Sequence, residues 1–144
     1  MTIRTLLDAG ADNATALTAP DRPAMTYAAL RRHVDSVGRQ LAENRLGATD
    51  RVAIVLPNGP EMATAFLSIS SYMSAAPLNP SYKLKEYEFY LQDLMPKIVI
   101  VEKDSQNPVV EAAKNLGIEI CEIKKIDNAP AGIFNLYNKI VNFE

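Results

Sequence analysis

Few groups in the sequence are of a type and spacing that could do chemistry. The first is the tripeptide Asn58-Gly59-Pro60, set between the apolar run "DRVAIVLPN" and a helical stripe of Met62, Phe66, Ile69 and Met73. A strand–turn–helix junction can present backbone N–H groups to an anion. A phosphate cradle, however, takes several glycines and free amides, and Pro60 removes one donor. The tripeptide therefore reads as a structural turn with Pro60 at the first helical position. Neither Gly-x-Gly-x-x-Gly nor Gly-Lys-Ser/Thr occurs anywhere in the chain.

The other candidates are single side chains. His33, the sole histidine, lies beside Arg31 and Arg32, off the apolar stripe of a helix expected over residues 27–45, and reads as a solvated surface histidine. Cys121, the sole cysteine, alternates within the strand-like "IEICEI" and reads as a small buried hydrophobe. One His and one Cys so far apart give no metal-ligand spacing. Glu86, Glu88 and Asp93 share a helix with Lys83 and Lys85 and read as an exposed charged face, with no second acid spaced for paired acid–base work. Tyr82, Tyr87, Phe89 and Tyr90 could line an aromatic pocket, but at helical spacing Tyr87 and Tyr90 fit core or rim packing better. The sequence thus assigns the chain no catalytic, cofactor-binding or metal-binding residue.

The elements that would position these groups follow from hydrophobic period and from caps. Tyr27, Leu30, Val34, Val37 and Leu41 recur at helical spacing behind the N-cap candidate Thr26. "DRVAIVLPN" has the continuous apolar character of a parallel strand buried on both faces. A short strand over 76–79, a helix carrying Leu84, Tyr87, Leu91 and Leu94, the strand "KIVIVE", a helix from Pro108 to Leu116 closed by Gly117, and the strand "IEICEI" follow in turn. Strands alternating with helices at this spacing mean right-handed βαβ units. The expected fold class is α/β, a mostly parallel sheet flanked by helices. Residues 1–22 read as a turn-rich lead-in and 23–128 as the α/β unit. Residues 129–144 read as an amphipathic helix carrying Ile133, Leu136, Tyr137, Ile140 and Val141.

Composition bounds the class. With 144 residues and 48% apolar content, the chain can bury one core. A formal charge of −2 leaves no basic footprint for nucleic acid. No apolar run reaches the roughly 18 residues of a membrane helix. A lone cysteine sets a reducing compartment as the default. All seven arginines lie between Arg4 and Arg51, and all eight lysines between Lys83 and Lys139. Chance drift or separate coding histories of the two halves both account for that division.

In order and spacing, "TYAAL", "DRVAIVLPNGPE", "AAPLNPSY" followed by "KEYEFYL", and "PKIVIVEK" resemble the N-terminal region of the AMP-forming, adenylate-forming acyl-CoA synthetases and ligases. The likeness covers about residues 23–103 and more loosely reaches 125. The run "APLNPSYKLKEYEFYL" looks most like the branch of oxalate–CoA ligases and related peroxisomal CoA synthetases. In it, Asn79 between Pro77 and Pro80 is expected to fix a strand end and cap a helix.

The resemblance implies a two-step ligase. ATP and a carboxylic acid give an acyl-adenylate and pyrophosphate, and the thiol of CoA then displaces AMP. It also implies ATP, Mg and CoA as cofactors of a full-length parent, none of them held by this chain. The family's Ser/Thr/Gly-rich phosphate loop, its aromatic-Gly-x-Thr-Glu element and its C-terminal lysine domain have no counterpart here, and six glycines are too few to supply them. The chain is therefore expected to be an N-terminal fragment, inactive alone. Its partner would be the remainder of the ligase chain, and the parent's substrate a small carboxylic acid. The expected location is the cytoplasm, or the peroxisome for a eukaryotic parent. A freestanding α/β interaction module, such as a truncated non-catalytic paralogue, and a flavodoxin-like binding domain remain alternatives.

Overall fold

The structure, a computed structural model, describes residues 1–137. Thr2 caps a single-turn helix, α1 (Ile3–Leu6), in a reciprocal box with Thr5, and a 3-10 turn over Leu7–Ala9 follows. The antiparallel hairpin β1 (Thr15–Ala19) and β2 (Arg22–Thr26) forms a small sheet of its own. Next come α2 (Tyr27–Glu43), β3 (Arg51–Ile54), α3 (Pro60–Tyr72), β4 (Ser74–Pro77), α4 (Leu84–Leu94), β5 (Ile98–Glu102), α5 (Pro108–Leu116), β6 (Glu119–Lys125) and β7 (Phe134–Leu136).

The main sheet runs β4-β3-β5-β6-β7, parallel except for β7. This is the α/β class read from the sequence. Side-chain alternation along the strands splits the core in two. Val52, Ile54, Ile98, Ile100, Cys121 and Ile123 face α2 and α3, where they meet Val37, Leu41, Ala65 and Ile69. Ala53, Val55, Val99, Val101 and Ile120 face α4 and α5, where they meet Tyr87, Leu91, Val109 and Ala112. A third cluster of Leu7, Met25, Leu30 and Val34 seats the hairpin and the first turns on α2. The sequence reading missed this N-terminal structure. Its strands are short and largely exposed, so their alternation is faint.

Local signals set the boundaries. The Thr26 hydroxyl accepts from the Ala29 N–H at 3.2 Å and starts α2. Pro60 occupies the first turn of α3. Gly117 closes α5 in the left-handed region at φ 68°, where an L side chain would be strained.

Three expectations are corrected. Residues 134–136 form the edge strand β7 rather than part of a helix, and residues 138–144 of that expected helix lie outside the described residues. "FNL" fits both a period of two and the spacing of a helix, so so short a run is ambiguous. Gly132 at φ 93°, next to Thr64 and Leu17, turns the chain there and ends any helical continuation. Phe66, expected on the inward face of α3, is 39% exposed, whereas Ile69 is 1% exposed. The buried arc of α3 runs through Thr64, Ala65, Ser68 and Ile69. Thr64, Ala65 and Ser68 are small and widen the buried arc on one side, so Phe66 falls outside it, while Met62, Ile69 and Met73 of the expected stripe do pack against the core. Asn79 does not cap α4. Its side chain accepts from the Ser81 N–H at 2.8 Å, and its carbonyl accepts from the Tyr87 hydroxyl at 2.7 Å. Glu86 caps α4 instead, accepting from the Lys83 N–H at 3.2 Å.

Candidate functional site

In this sheet order the connections leaving β3 and β5 depart to opposite faces, through α3 and α5. The crevice between their carboxyl ends is the topological switch point, where open α/β sheets bind ligands. A cleft of about 240 Å³ lies there. Residues Leu56–Glu61 after β3, Glu102 at the end of β5, Ile123 and Lys125 of β6, and Ala19, Pro20 and Arg22 of the hairpin line it.

One wall is a buried ion pair. Arg22 of β2 donates to the carboxylate of Glu61 in the first turn of α3. A second guanidinium nitrogen of Arg22 donates to the Pro130 carbonyl at 3.2 Å. The Glu61 side chain is 6% exposed and that of Arg22 22%, so each charge depends on the other for its lost hydration. The Thr64 hydroxyl donates to the Gly132 carbonyl at 2.6 Å, and the Ala131 N–H donates to the Pro23 carbonyl at 2.9 Å. Hairpin, α3 and the loop before β7 are thereby held as one unit.

Asn58-Gly59-Pro60 sits in the cleft as the turn into α3. Gly59 is extended at φ 164°, and no side chain caps the helix there. A Cβ at Gly59 would meet nothing nearer than 3.9 Å, so crowding does not require the glycine. The turn holds one glycine and a proline without an N–H, too few donors to wrap a triphosphate.

The other candidates lie apart from the cleft. His33 is corrected from a surface to a buried residue, 9% exposed. It packs edge-on to Phe134 with ring centroids 4.5 Å apart, and its Nε2 has no hydrogen-bond partner. Burial pushes its pKa down to about 4. The reading failed because His33 lies between the stripes of α2 that serve two different clusters, and Phe134 of β7, far along the chain, packs against it. Cys121 is buried on β6 as expected, and burial pushes its thiol up to about 12, away from nucleophile chemistry.

Glu88 accepts from the Asn115 side chain at 3.2 Å and ties α4 to α5, while Asp93 is exposed. Tyr87 is fully buried, Tyr82 stacks on Tyr90 at 5.1 Å, and Phe89 is exposed beside Tyr90. Among the described residues no group of three or more His, Cys, Asp or Glu could hold a metal ion. None of the described helices is long and apolar enough to cross a membrane. Sequence reasoning missed the Arg22–Glu61 pair and Glu102. A buried acid thirty-nine positions from its partner leaves no local pattern.

The profile of the AMP-binding enzyme family matches residues 8–137. The chain is 34% identical over 109 residues to the oxalate–CoA ligase of Arabidopsis thaliana, covering 69% of this chain and 21% of that protein. It is 39% identical over 79 residues to the oxalate–CoA ligase of Saccharomyces cerevisiae, covering 51% of this chain and 14% of that protein. The chain thus spans about a fifth or less of the length of these relatives. The crystal structure of apo MatB from Rhodopseudomonas palustris superposes with a TM-score of 0.74 over 85% of this chain and 26% of that one. At 22% identity that likeness shows the fold alone.

Proposed function

The chain belongs to the AMP-binding enzyme family, and from that premise we propose that it forms the N-terminal scaffold of an ATP-dependent carboxylic acid–CoA ligase. In the parent reaction the acid's carboxylate oxygen attacks the α-phosphorus of ATP, giving acyl-adenylate and pyrophosphate. The sulfur of CoA then attacks the acyl carbon and AMP leaves. The observation that carries the reading is the alignment with a ligase over 69% of this chain but only 21% of the relative. The phosphate-binding and C-terminal elements of such an enzyme would lie in the rest.

This chain's part is mechanical. The five-stranded sheet, covered on both faces, supplies a rigid layer, and the Arg22–Glu61 and Thr64–Gly132 bonds fix the loops at its carboxyl edge. ATP, Mg and CoA belong to the parent, and the remainder of the ligase is the partner of this layer. A small carboxylic acid is the substrate class, with oxalate first because both relatives above are oxalate–CoA ligases. The cytoplasm is the compartment proposed, or the peroxisome in a eukaryote. The test joins this chain to a following segment that carries the phosphate loop and measures acid-dependent ATP–pyrophosphate exchange with oxalate, malonate and hexanoate. Exchange that needs one of these acids, followed by CoA-dependent AMP release, supports the reading. A parent gene that stops after Glu144 would select the non-catalytic module instead.

A further inference from the structure

Helix α3 differs in charge from the other helices that cover the sheet. Helix α2 exposes Arg32 and Arg39, α4 exposes Lys85 and Glu86, and α5 exposes Glu111 and Lys114. In α3 the sole charged residue is Glu61, and it is buried against Arg22. By the helical period, Ala63, Phe66, Leu67 and Ser70 lie on the side of α3 turned away from its buried arc, half-buried or exposed. The Ser70 hydroxyl donates to the Phe66 carbonyl and the Ser71 hydroxyl to the Leu67 carbonyl, each at 2.6 Å, so both donors are spent inside the helix. Tyr72, at the end of α3, spends its hydroxyl on Asp35, which also holds Arg4 of α1. That anchor sets α1 against α3, and Ile3 and Leu6 of α1 are exposed. The outward face of α3 thus offers water neither a charge nor a free side-chain donor.

We propose that this face, the outward side of α3 with Ile3 and Leu6, is the seam on which the segment of the parent ligase that follows this chain packs, while the α4–α5 side stays in water. A helix at a protein surface keeps charged residues outward, and one without a charged face belongs inside a larger protein. This chain spans 21% of the Arabidopsis thaliana relative, so most of such a parent has to rest on one of its faces. The α4–α5 side is the poorer seat, because covering Lys85, Glu86, Glu111 and Lys114 would strip them of water. Where the covering surface meets Phe66 it is apolar and uncharged, because α3 has no counter-charge to give. A lipid surface is the weaker occupant, since α3 brings no Lys or Arg to its headgroups. The identity of the covering segment rests on the ligase reading, whereas the face rests on this chain's own residues.

The test uses the protein in which this chain is joined to a following segment that carries the phosphate loop. Its Phe66→Cys and Ser70→Cys variants and, on α4, Phe89→Cys are treated with iodoacetamide, native and in urea. Alkylation is followed peptide by peptide by mass spectrometry. Phe66→Cys and Ser70→Cys should react at least about a hundredfold slower in the native protein than in urea, and Phe89→Cys within about threefold. Ser70→Cys replaces one side-chain atom, so it reports the face even where Phe66→Cys disturbs the packing. For the 144-residue chain alone, Phe66→Cys should react nearly as fast as Phe89→Cys at every protein concentration. Protection of the lone chain that grows with its concentration would mean that a second copy covers the face, and would overturn the proposal. Equal rates for all three variants in the joined protein would overturn it too. Acid-dependent ATP–pyrophosphate exchange by the same joined protein scores the ligase reading separately. Exchange with residues 66 and 70 open sinks the seam alone, and protection without exchange sinks the ligase reading alone.

Discussion

The imidazole of His33 on α2 meets the ring of Phe134 on β7 edge-on, with centroids 4.5 Å apart, and its buried Nε2 has no partner. The fold therefore holds this histidine neutral, with its pKa pushed down to about 4 from 6.5. Above pH 6.5 neither folded nor unfolded chain protonates there, and the group adds no pH dependence. Between pH 6.5 and 4 the unfolded chain takes up the proton and the folded chain resists it, so stability is lost as the pH is lowered through that window. The total loss is about 3 kcal/mol at 1.36 kcal/mol per unit. Urea melts of His33→Leu should lack this acid-side loss and show equal or greater stability at neutral pH, since no polar nitrogen is then buried unpaired. A variant with the same acid-side slope as the parent would place that titration on other groups.

Gly38 on α2 faces the ring of Tyr72 on α3, and a Cβ added at Gly38 would lie well inside van der Waals contact with it. Tyr72 donates its hydroxyl to Asp35, which also accepts from Arg4 Nε at 2.6 Å. Gly38→Ala should displace the ring, break that bond and lower stability by about 1–3 kcal/mol. In a Tyr72→Ala background the same substitution should cost much less, because the colliding ring is gone. Equal costs in both backgrounds, measured by thermal melts, would mean that the helices do not meet there.

Two residues of one apparent stripe should behave differently. Ile69→Ala empties a site between α3 and the sheet and should cost about 2–5 kcal/mol. Phe66→Ala removes a side chain already 39% exposed and should cost well under half as much. The reverse order in denaturant melts would mean that α3 is rotated from the orientation described.

Removing either partner of the Arg22–Glu61 pair strands a charge in a wall of the cleft. Glu61→Ala should therefore cost about 3 kcal/mol, the low end for a broken buried pair because Arg22 keeps some access to water. The double variant Arg22→Met with Glu61→Leu should cost less than either single change. Losses that simply add would show that the pair does not act as a unit.

The layered fold was legible because its signals are local. Continuous apolar strands at 52–56 and 98–101, Thr26 before α2, Pro60 at the start of α3 and Gly117 after α5 each act over a few residues. What escaped depends on distant partners. His33 is buried by Phe134, about a hundred residues away, and Glu61 of α3 is paired with Arg22 of the hairpin. The small-residue face of α3 follows from its approach to α2, and β7 exists because β6 offers it an edge. Glu102 reads in sequence as the polar end of a strand, and only the register with β6 sets it beside Lys125 in one cleft.

The central claim is that this chain is a scaffold layer that does not itself hold the ATP site. The most direct measurement is calorimetry of the chain with magnesium–ATP at physiological salt. The strand–turn–helix junction at the switch point offers one glycine and a proline without an amide, and exposed lysines attract nucleotide weakly and under screening. The expected result is no heat that fits a dissociation constant below about 1 mM. Saturable binding at micromolar ATP that survives physiological salt would contradict the claim and put a nucleotide site inside these 144 residues.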